Sequence, residues 1–140
     1  MENITRLLGF DFGLKRIGVA FGQTITCSAK PLCTLKADSG LCDARAIANL
    51  VSEWRPQALI VGLPLNMDDT EQAITQKARK FSTFLQNETG LPVHLFDERL
   101  TTIEAREQIF RRGGCKALEQ TQIDAVAAAL ILEGWMQYRR

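Results

Sequence analysis

The chain has a single histidine and four cysteines, and that shortage removes much of the usual metal and nucleophile repertoire. Cys27, Cys33, Cys42 and Cys115 show no C-x-x-C spacing, and His94 has no second histidine to share a metal with. Zinc sites built from thiolate and imidazole are therefore not expected. Scattered thiols of this kind suit the reducing interior of a cell. Long apolar runs are missing too. The longest uncharged one, Ala125 to Leu132, falls far short of the roughly 20 residues that cross a bilayer. Met1-Glu2-Asn3 opens without the charged and then apolar pattern of a secretory signal. The expectation is a soluble, cytoplasmic protein with no membrane partner. An excess of one charge is also absent: 17 Lys and Arg against 16 Asp and Glu leave a net charge of +1. Bulk electrostatics gives no sign of nucleic-acid binding, although carboxylates occupied by divalent cations would make the working surface more positive.

What is present suits one globular domain spanning residues 1–140, with 46% hydrophobic and 24% charged residues. Its organising stretch is Gly9-Phe10-Asp11-Phe12-Gly13-Leu14-Lys15-Arg16-Ile17-Gly18-Val19-Ala20, which reads as strand, tight turn and strand. Leu7, Leu8, Phe10 and Phe12 form the nearly continuous apolar run of a strand covered on both faces. Asp11 interrupts it. A carboxylate is costly to bury without a partner, so Asp11 either holds a metal ion or hydrogen-bonds the hairpin. Gly13 permits the turn, and Lys15 and Arg16 place positive charge on it.

The second strand, 16–22, alternates Ile17, Val19 and Phe21 with Gly18, Ala20 and Gly22, leaving a small-residue side open to close packing. A third strand over 28–35, beginning around Pro31, completes an antiparallel start. Asp43 can cap a helix whose face carries Ile47, Leu50, Val51 and Trp54, and Pro56 stops it. The wholly apolar run 58–63 predicts a central parallel strand reached through that helical crossover. It leads into Pro64-Leu65-Asn66-Met67-Asp68-Asp69-Thr70-Glu71, either a ligand-gathering loop at the carboxyl end of a strand or a solvated loop ending in a helix cap. Ile74, Ala78, Phe81 and Leu85 then mark a helix that Thr89-Gly90 ends. Lys77, Arg79 and Lys80 form its basic face, which is either simply solvated or in contact with phosphate.

Val93 to Phe96 predicts a further strand, in which His94 reads as a packing residue rather than a base. Thr101 and Glu104 fit a capping box opening a helix to about Arg112, closed by Gly113-Gly114. The final helix, from about Thr121 to Tyr138, is apolar almost all round. Asp124 near its start is either a ligand or a group favoured by the helix dipole. Asp11, Glu98 and Asp124 are thus three acids on separate elements. Were they to converge, they would suit magnesium, which takes oxygen ligands; two such ions can promote phosphodiester hydrolysis.

Four separated segments, "FDFGLKRIGVA", "ALIVGLPLNMDDTE", "LFDERLTTIEA" and "QIDAVAAALILE", closely resemble the YqgF (RuvX) family of Holliday-junction-resolvase-like nucleases. The resemblance spans nearly the whole chain. It implies an α/β ribonuclease H-like fold: a mixed five-stranded sheet, its first three strands antiparallel, flanked by helices. It implies catalytic and metal-holding roles for Asp11, Glu98 and Asp124, with Asp97 a further candidate ligand and Mg2+ or Mn2+ as cofactor. Lys15, Arg16, Asn66 and Arg99 become candidates for contacting substrate. Two positions depart from the family pattern: Asp69 stands where Gly is usual, and Leu14 replaces a small hydroxylic residue. The implied activity is endonucleolytic maturation of the 5′ end of precursor 16S rRNA. Resolution of four-way DNA junctions and non-catalytic RNA binding during ribosome assembly are the alternatives. The chain carries no obvious dimer helix, so a monomer or a weak homodimer is expected.

Overall fold

The structure is a computed structural model, and it describes residues 4–63, 73–97 and 120–138. Eight elements follow in order: β1 (Arg6–Asp11), β2 (Arg16–Gln23), β3 (Ser28–Lys36), α1 (Ala44–Trp54), β4 (Ala58–Leu63), α2 (Ala73–Thr89), β5 (Val93–Asp97) and α3 (Gln120–Tyr138). The strands make one five-stranded sheet in the order β3-β2-β1-β4-β5. β1, β2 and β3 are antiparallel, while β4 lies parallel to β1 and β5 parallel to β4. This is the mixed sheet that the sequence leads one to expect. The capping box at Thr101 and the helix to Arg112 fall outside the described residues.

Local chemistry accounts for most boundaries. Asp43 caps α1 by accepting the Arg45 backbone N–H at 3.0 Å. The helix ends on Arg55, whose left-handed conformation lets its N–H reach the Val51 carbonyl at 2.8 Å, one residue before Pro56. Gly90 closes α2 in the same way, with φ +69° and a 2.9 Å bond to the Gln86 carbonyl. Pro31 does not open β3, which already begins at Ser28. It sits inside the strand, opposite Ala20, where the register shifts between Val19 and Ala20. A residue with no N–H is tolerated there because β3 is an edge strand and its ladder is already irregular.

Strand alternation divides the core between the two faces of the sheet. On one, Leu8 and Phe10 of β1 and Phe12 just beyond it pack with Leu59, Val61 and Leu63 of β4 against Ile47 of α1 and Phe81 and Leu85 of α2. Phe81 is the hub, with its ring 5.7 Å from Phe10 and 5.4 Å from Phe12. On the other face Leu7, Ala20, Ala58, Ile60 and Phe96 meet α3 through Ala128, Ala129, Ile131, Leu132 and Met136. Each large side chain buried in this way contributes about 1.5–3 kcal/mol. The backbone of Gly9 lies against Leu132 so closely that an added Cβ would fall 2.4 Å from Cγ. Small residues on β1 and β2 therefore let α3 sit almost on the strands, as the composition of β2 predicts. His94 lies on this face, exposed, with its ring 5.5 Å from that of Trp135.

Candidate active site

β1 ends on Asp11, not around it. The aspartate is the last residue of the strand, half-buried and paired across the ladder with Gly18. Leu7 and Gly9 face α3, so alternation places the Asp11 side chain on that same face. Gly18 shares that face as its cross-strand partner. It has no side chain, and the space is taken by the backbone of α3: an added Cβ would fall 1.9 Å from the Asp124 carbonyl oxygen and 2.9 Å from the Ala125 nitrogen. The consequence is geometric. The chain at Asp124 is pressed onto the residue that pairs with Asp11, bringing together two acids far apart in sequence.

Asp124 lies in the fifth position of α3. It stands past the first turn of Gln120–Tyr138, so the helix dipole, whose effect is confined to that turn, does not account for an acid here. Its side chain is only 17% exposed, and Oδ2 accepts a 2.9 Å hydrogen bond from Arg16 Nε, a residue 108 positions away in the chain. A carboxylate with that little solvent needs a cation or donor beside it. Arg16 opens β2 and comes from the same hairpin as Asp11, so one hairpin supplies both a carboxylate and a cation to the site.

That turn is rigid. Gly13 lies so close to the Arg16 carbonyl that a Cβ there would be 2.3 Å from the oxygen, a contact only glycine avoids. The Lys15 carbonyl accepts the Ala37 N–H at 2.9 Å, and the Leu14 carbonyl accepts the Gly40 N–H at 2.9 Å. Lys15 and Arg16 are thereby held at the rim, both exposed.

Asp97 behaves differently from Asp11. It ends β5 opposite Leu63, which packs toward α1 and α2, whereas Phe96 before it packs toward α3. Alternation sends the Asp97 side chain to the face opposite Asp11. As a ligand beside Asp11 it is disfavoured by its register. Glu98, Asn66 and Arg99 lie outside the described residues, as does Asp69. Among the described residues no group of three or more His, Cys, Asp or Glu side chains is placed to hold a metal. Asp11 and Asp124 offer oxygen donors only, and oxygen-only sets suit hard divalent cations rather than zinc.

Residue spacing could not have revealed two features of this site. The Arg16–Asp124 pair spans nearly the whole chain, and nothing in either segment signals the other. Gly18 as the seat of α3 was foreshadowed only by the run of small residues on alternate positions of β2.

The five-stranded mixed sheet with α3 on one face defines a class of fold, that of the ribonuclease H-like proteins. Over 96% of both chains the structure is similar to Thermus thermophilus RuvC bound to a Holliday junction substrate, with a TM-score of 0.60 and 17% identity. It is similar also to the fowlpox virus resolvase in complex with Holliday junction DNA, with a TM-score of 0.59 and 13% identity over 96% of this chain and 98% of that one. At the level of sequence, residues 5–138 match the family described as RuvX: Holliday junction resolvase, and the chain belongs to that family. A relative from Legionella pneumophila (strain Lens), named "Putative pre-16S rRNA nuclease", is 52% identical over 93% of this chain and 94% of its own. One of the same name from Haemophilus influenzae (strain PittGG) is 55% identical over 94% of each.

Proposed function

We propose that this chain is a single-domain, divalent-metal-dependent endonuclease that hydrolyses phosphodiester bonds in precursor 16S rRNA in the cytoplasm. The observation that carries the reading is the seating of Asp124 on Gly18, across the ladder from Asp11. It supports a shared cation site at the carboxyl end of β1. The names of its relatives, putative pre-16S rRNA nucleases, support RNA as the substrate, while the family description points to branched DNA as the alternative.

In this reading Asp11, Asp124 and Glu98 hold Mg2+ or Mn2+. Such ions, when bound, activate water and offset negative charge on the phosphoryl oxygens. The chain's own residues supply the rest. Asp11 and Asp124 fix the cation position from rigid elements, a strand end and a helix seated on a glycine. Lys15 and Arg16 on the hairpin turn draw the phosphate backbone toward the acids, with Arg99 and Asn66 as further substrate contacts. Arg16 then has a double role, since it holds Asp124 at 2.9 Å and stands where a phosphate would approach.

The test uses a fragment of precursor 16S rRNA, the purified chain with and without Mg2+, and Asp11→Asn. Cleavage is expected only with the metal, and the variant should cut at least about a thousandfold more slowly while melting within a few degrees of the parent. Undiminished cleavage by Asp11→Asn would remove this site from the chemistry. Cleavage of synthetic four-way DNA junctions but not of the RNA would favour junction resolution. A native mass at the dimer value would strengthen that alternative, because cutting two strands symmetrically needs two sites.

A further inference from the structure

On the sheet face opposite the paired acids, a cleft of about 240 Å³ opens between Ser39–Leu41 and four residues of α2: Lys77, Lys80, Phe81 and Phe84. Its two walls are preformed. Ser39 and Gly40 have φ of +51° and +87°, and Asp38 and Leu41 exchange both backbone hydrogen bonds, at 2.8 and 3.0 Å. This is a tight two-residue turn of the primed type. Gly40 rests on the Phe12 ring, where a Cβ would meet Cζ at 2.6 Å. The opposite wall is one stripe of a helix, since positions 77, 80, 81 and 84 follow i, i+3, i+4 and i+7.

The chemistry of that stripe is mixed in an informative way. Phe81 is buried, but Phe84 is only partly covered and continues its ring stack outward at 6.2 Å and 25°. Among the described residues neither Lys77 nor Lys80 is paired with an acid. Ammonium groups interleaved with a partly exposed aromatic match what a single-stranded nucleic acid offers, a flat base beside a phosphate. Position matters as much as composition. The Gly40 N–H bonds the Leu14 carbonyl, so the cleft wall is tied directly to the hairpin turn that begins two residues after Asp11.

We propose that this cleft is a second substrate contact, taking an unpaired base against Phe84 with its phosphate on Lys77 and Lys80. The strand would pass from the paired acids over the Lys15 turn to reach it. The proposal rests on the nuclease reading and names what that reading lacks, a contact that recognises single-stranded rather than paired RNA.

The test measures anisotropy of a fluorescein-labelled single-stranded RNA of about 12 nucleotides, and of the same strand in a perfect duplex, without divalent metal. Lys77→Gln/Lys80→Gln, both on the helix surface, should weaken single-strand binding about tenfold and flatten the log K against log salt slope by about 1.4. Phe84→Leu keeps the apolar packing. It should weaken the single strand several-fold, leave the salt slope unchanged and spare the duplex. Melting curves of both variants within a few degrees of the parent separate binding from folding. Unaltered affinity in both variants overturns the proposal, as does equal loss for single strand and duplex in Phe84→Leu. Tighter competition by an acidic poly-glutamate peptide than by RNA would assign the cleft to a protein partner and overturn it also. If Asp11→Asn abolishes cleavage while the cleft variants bind normally, the cleft falls and the nuclease reading stands. If Asp11→Asn cleaves normally while the cleft variants lose single-strand binding, the reverse holds.

Discussion

The two faces of the sheet are built by opposite rules. The face toward α1 and α2 is filled by large side chains, Phe10, Phe12, Phe21 and Phe81 among them. The face toward α3 keeps Leu7, Ile60 and Phe96 but is lined along β2 by glycine and alanine, Gly18, Ala20 and Gly22, with the helix backbone nearly touching β2 at Gly18. Large side chains fill volume and have several ways to repack, so that face supplies stability with some tolerance. Backbone against backbone has no slack. The second face gives up buried apolar area at Gly9, Gly18 and Gly22 and fixes where Asp124 sits. Stability and positional accuracy have been assigned to different sides of one sheet.

The largest expected effect breaks the aromatic side. Phe81→Ala removes the ring shared by Phe10, Phe12 and Phe84 and should cost about 3–5 kcal/mol, read from urea unfolding. The comparison predicts that turnover per folded molecule at saturating RNA stays within about twofold, because nothing at the acids moves, while the KM rises because Phe84 loses the ring it stacks on. A large loss of activity in the fraction that remains folded would show that the two faces are coupled.

Next in size is the converse. Gly18→Ala puts a methyl group 1.9 Å from the Asp124 carbonyl oxygen, so the start of α3 must shift away from Asp11. The stability cost should be smaller, about 1–3 kcal/mol, but cleavage should fall by about a hundredfold, since a displacement near 1 Å at a catalytic group is enough for that. Activity assayed at a temperature well below the melting point of the variant separates the two. If Gly18→Ala loses stability and activity in proportion, the face is ordinary packing and not a positioning device.

How much of this could be read from residues alone follows the same division. The aromatic side was legible because apolar periodicity reports it directly: Ile47, Leu50 and Val51 on α1, and Ala78, Phe81 and Leu85 on α2, fall at helical spacing. The parallel strand 58–63 was legible from its unbroken apolar run, and the antiparallel start from the hairpin around Gly13. The sequence offered the site as a list of three acids on separate elements, but not as geometry. Whether Asp124 reaches Asp11 depends on how closely α3 approaches β2, a tertiary distance set by one hydrogen atom at Gly18. Asp97 shows the same limit from the other side. Its place beside Glu98 made it a candidate ligand, yet register with Leu63 turns it toward the opposite face. The departure at Leu14 is absorbed locally, since its carbonyl anchors Gly40 while its side chain stays partly exposed.

A smaller effect sharpens the electrostatic part of the comparison. Arg16 is 45% exposed and pairs with an Asp124 carboxylate that is 17% exposed, so Arg16→Gln should cost only about 0–1 kcal/mol of stability. The same change removes a positive charge from the acids. Divalent-ion binding followed by calorimetry with Mn2+ should therefore tighten several-fold, whereas the KM for RNA should rise because a phosphate contact is lost. Weaker Mn2+ binding in this variant would mean that Arg16 holds Asp124 in the coordinating orientation instead of competing for it.

The smallest effect belongs to the aromatic side again and concerns thiols. Cys33 and Cys42 pack against that core, and burial pushes both above the ordinary thiol value of 9.0, helped at Cys33 by the charge of Glu53 and at Cys42 by Asp43. A backbone hydrogen bond partly opposes the shift at Cys42. Cys27 is exposed in the turn between β2 and β3. At slightly alkaline pH, iodoacetamide should thus label Cys27 well before Cys33 or Cys42, as peptide mapping by mass spectrometry would read. The sign for stability follows from linkage. A thiol whose folded-state pKa is raised keeps its proton longer in the folded chain. Its contribution is complete below the unfolded value and is lost as pH climbs through the folded one. Melting temperature should accordingly decline above about pH 9, and Cys33→Ser/Cys42→Ser should flatten that decline. Early labelling of Cys33 would mean that β3, the edge strand, opens locally while the face behind it stays packed.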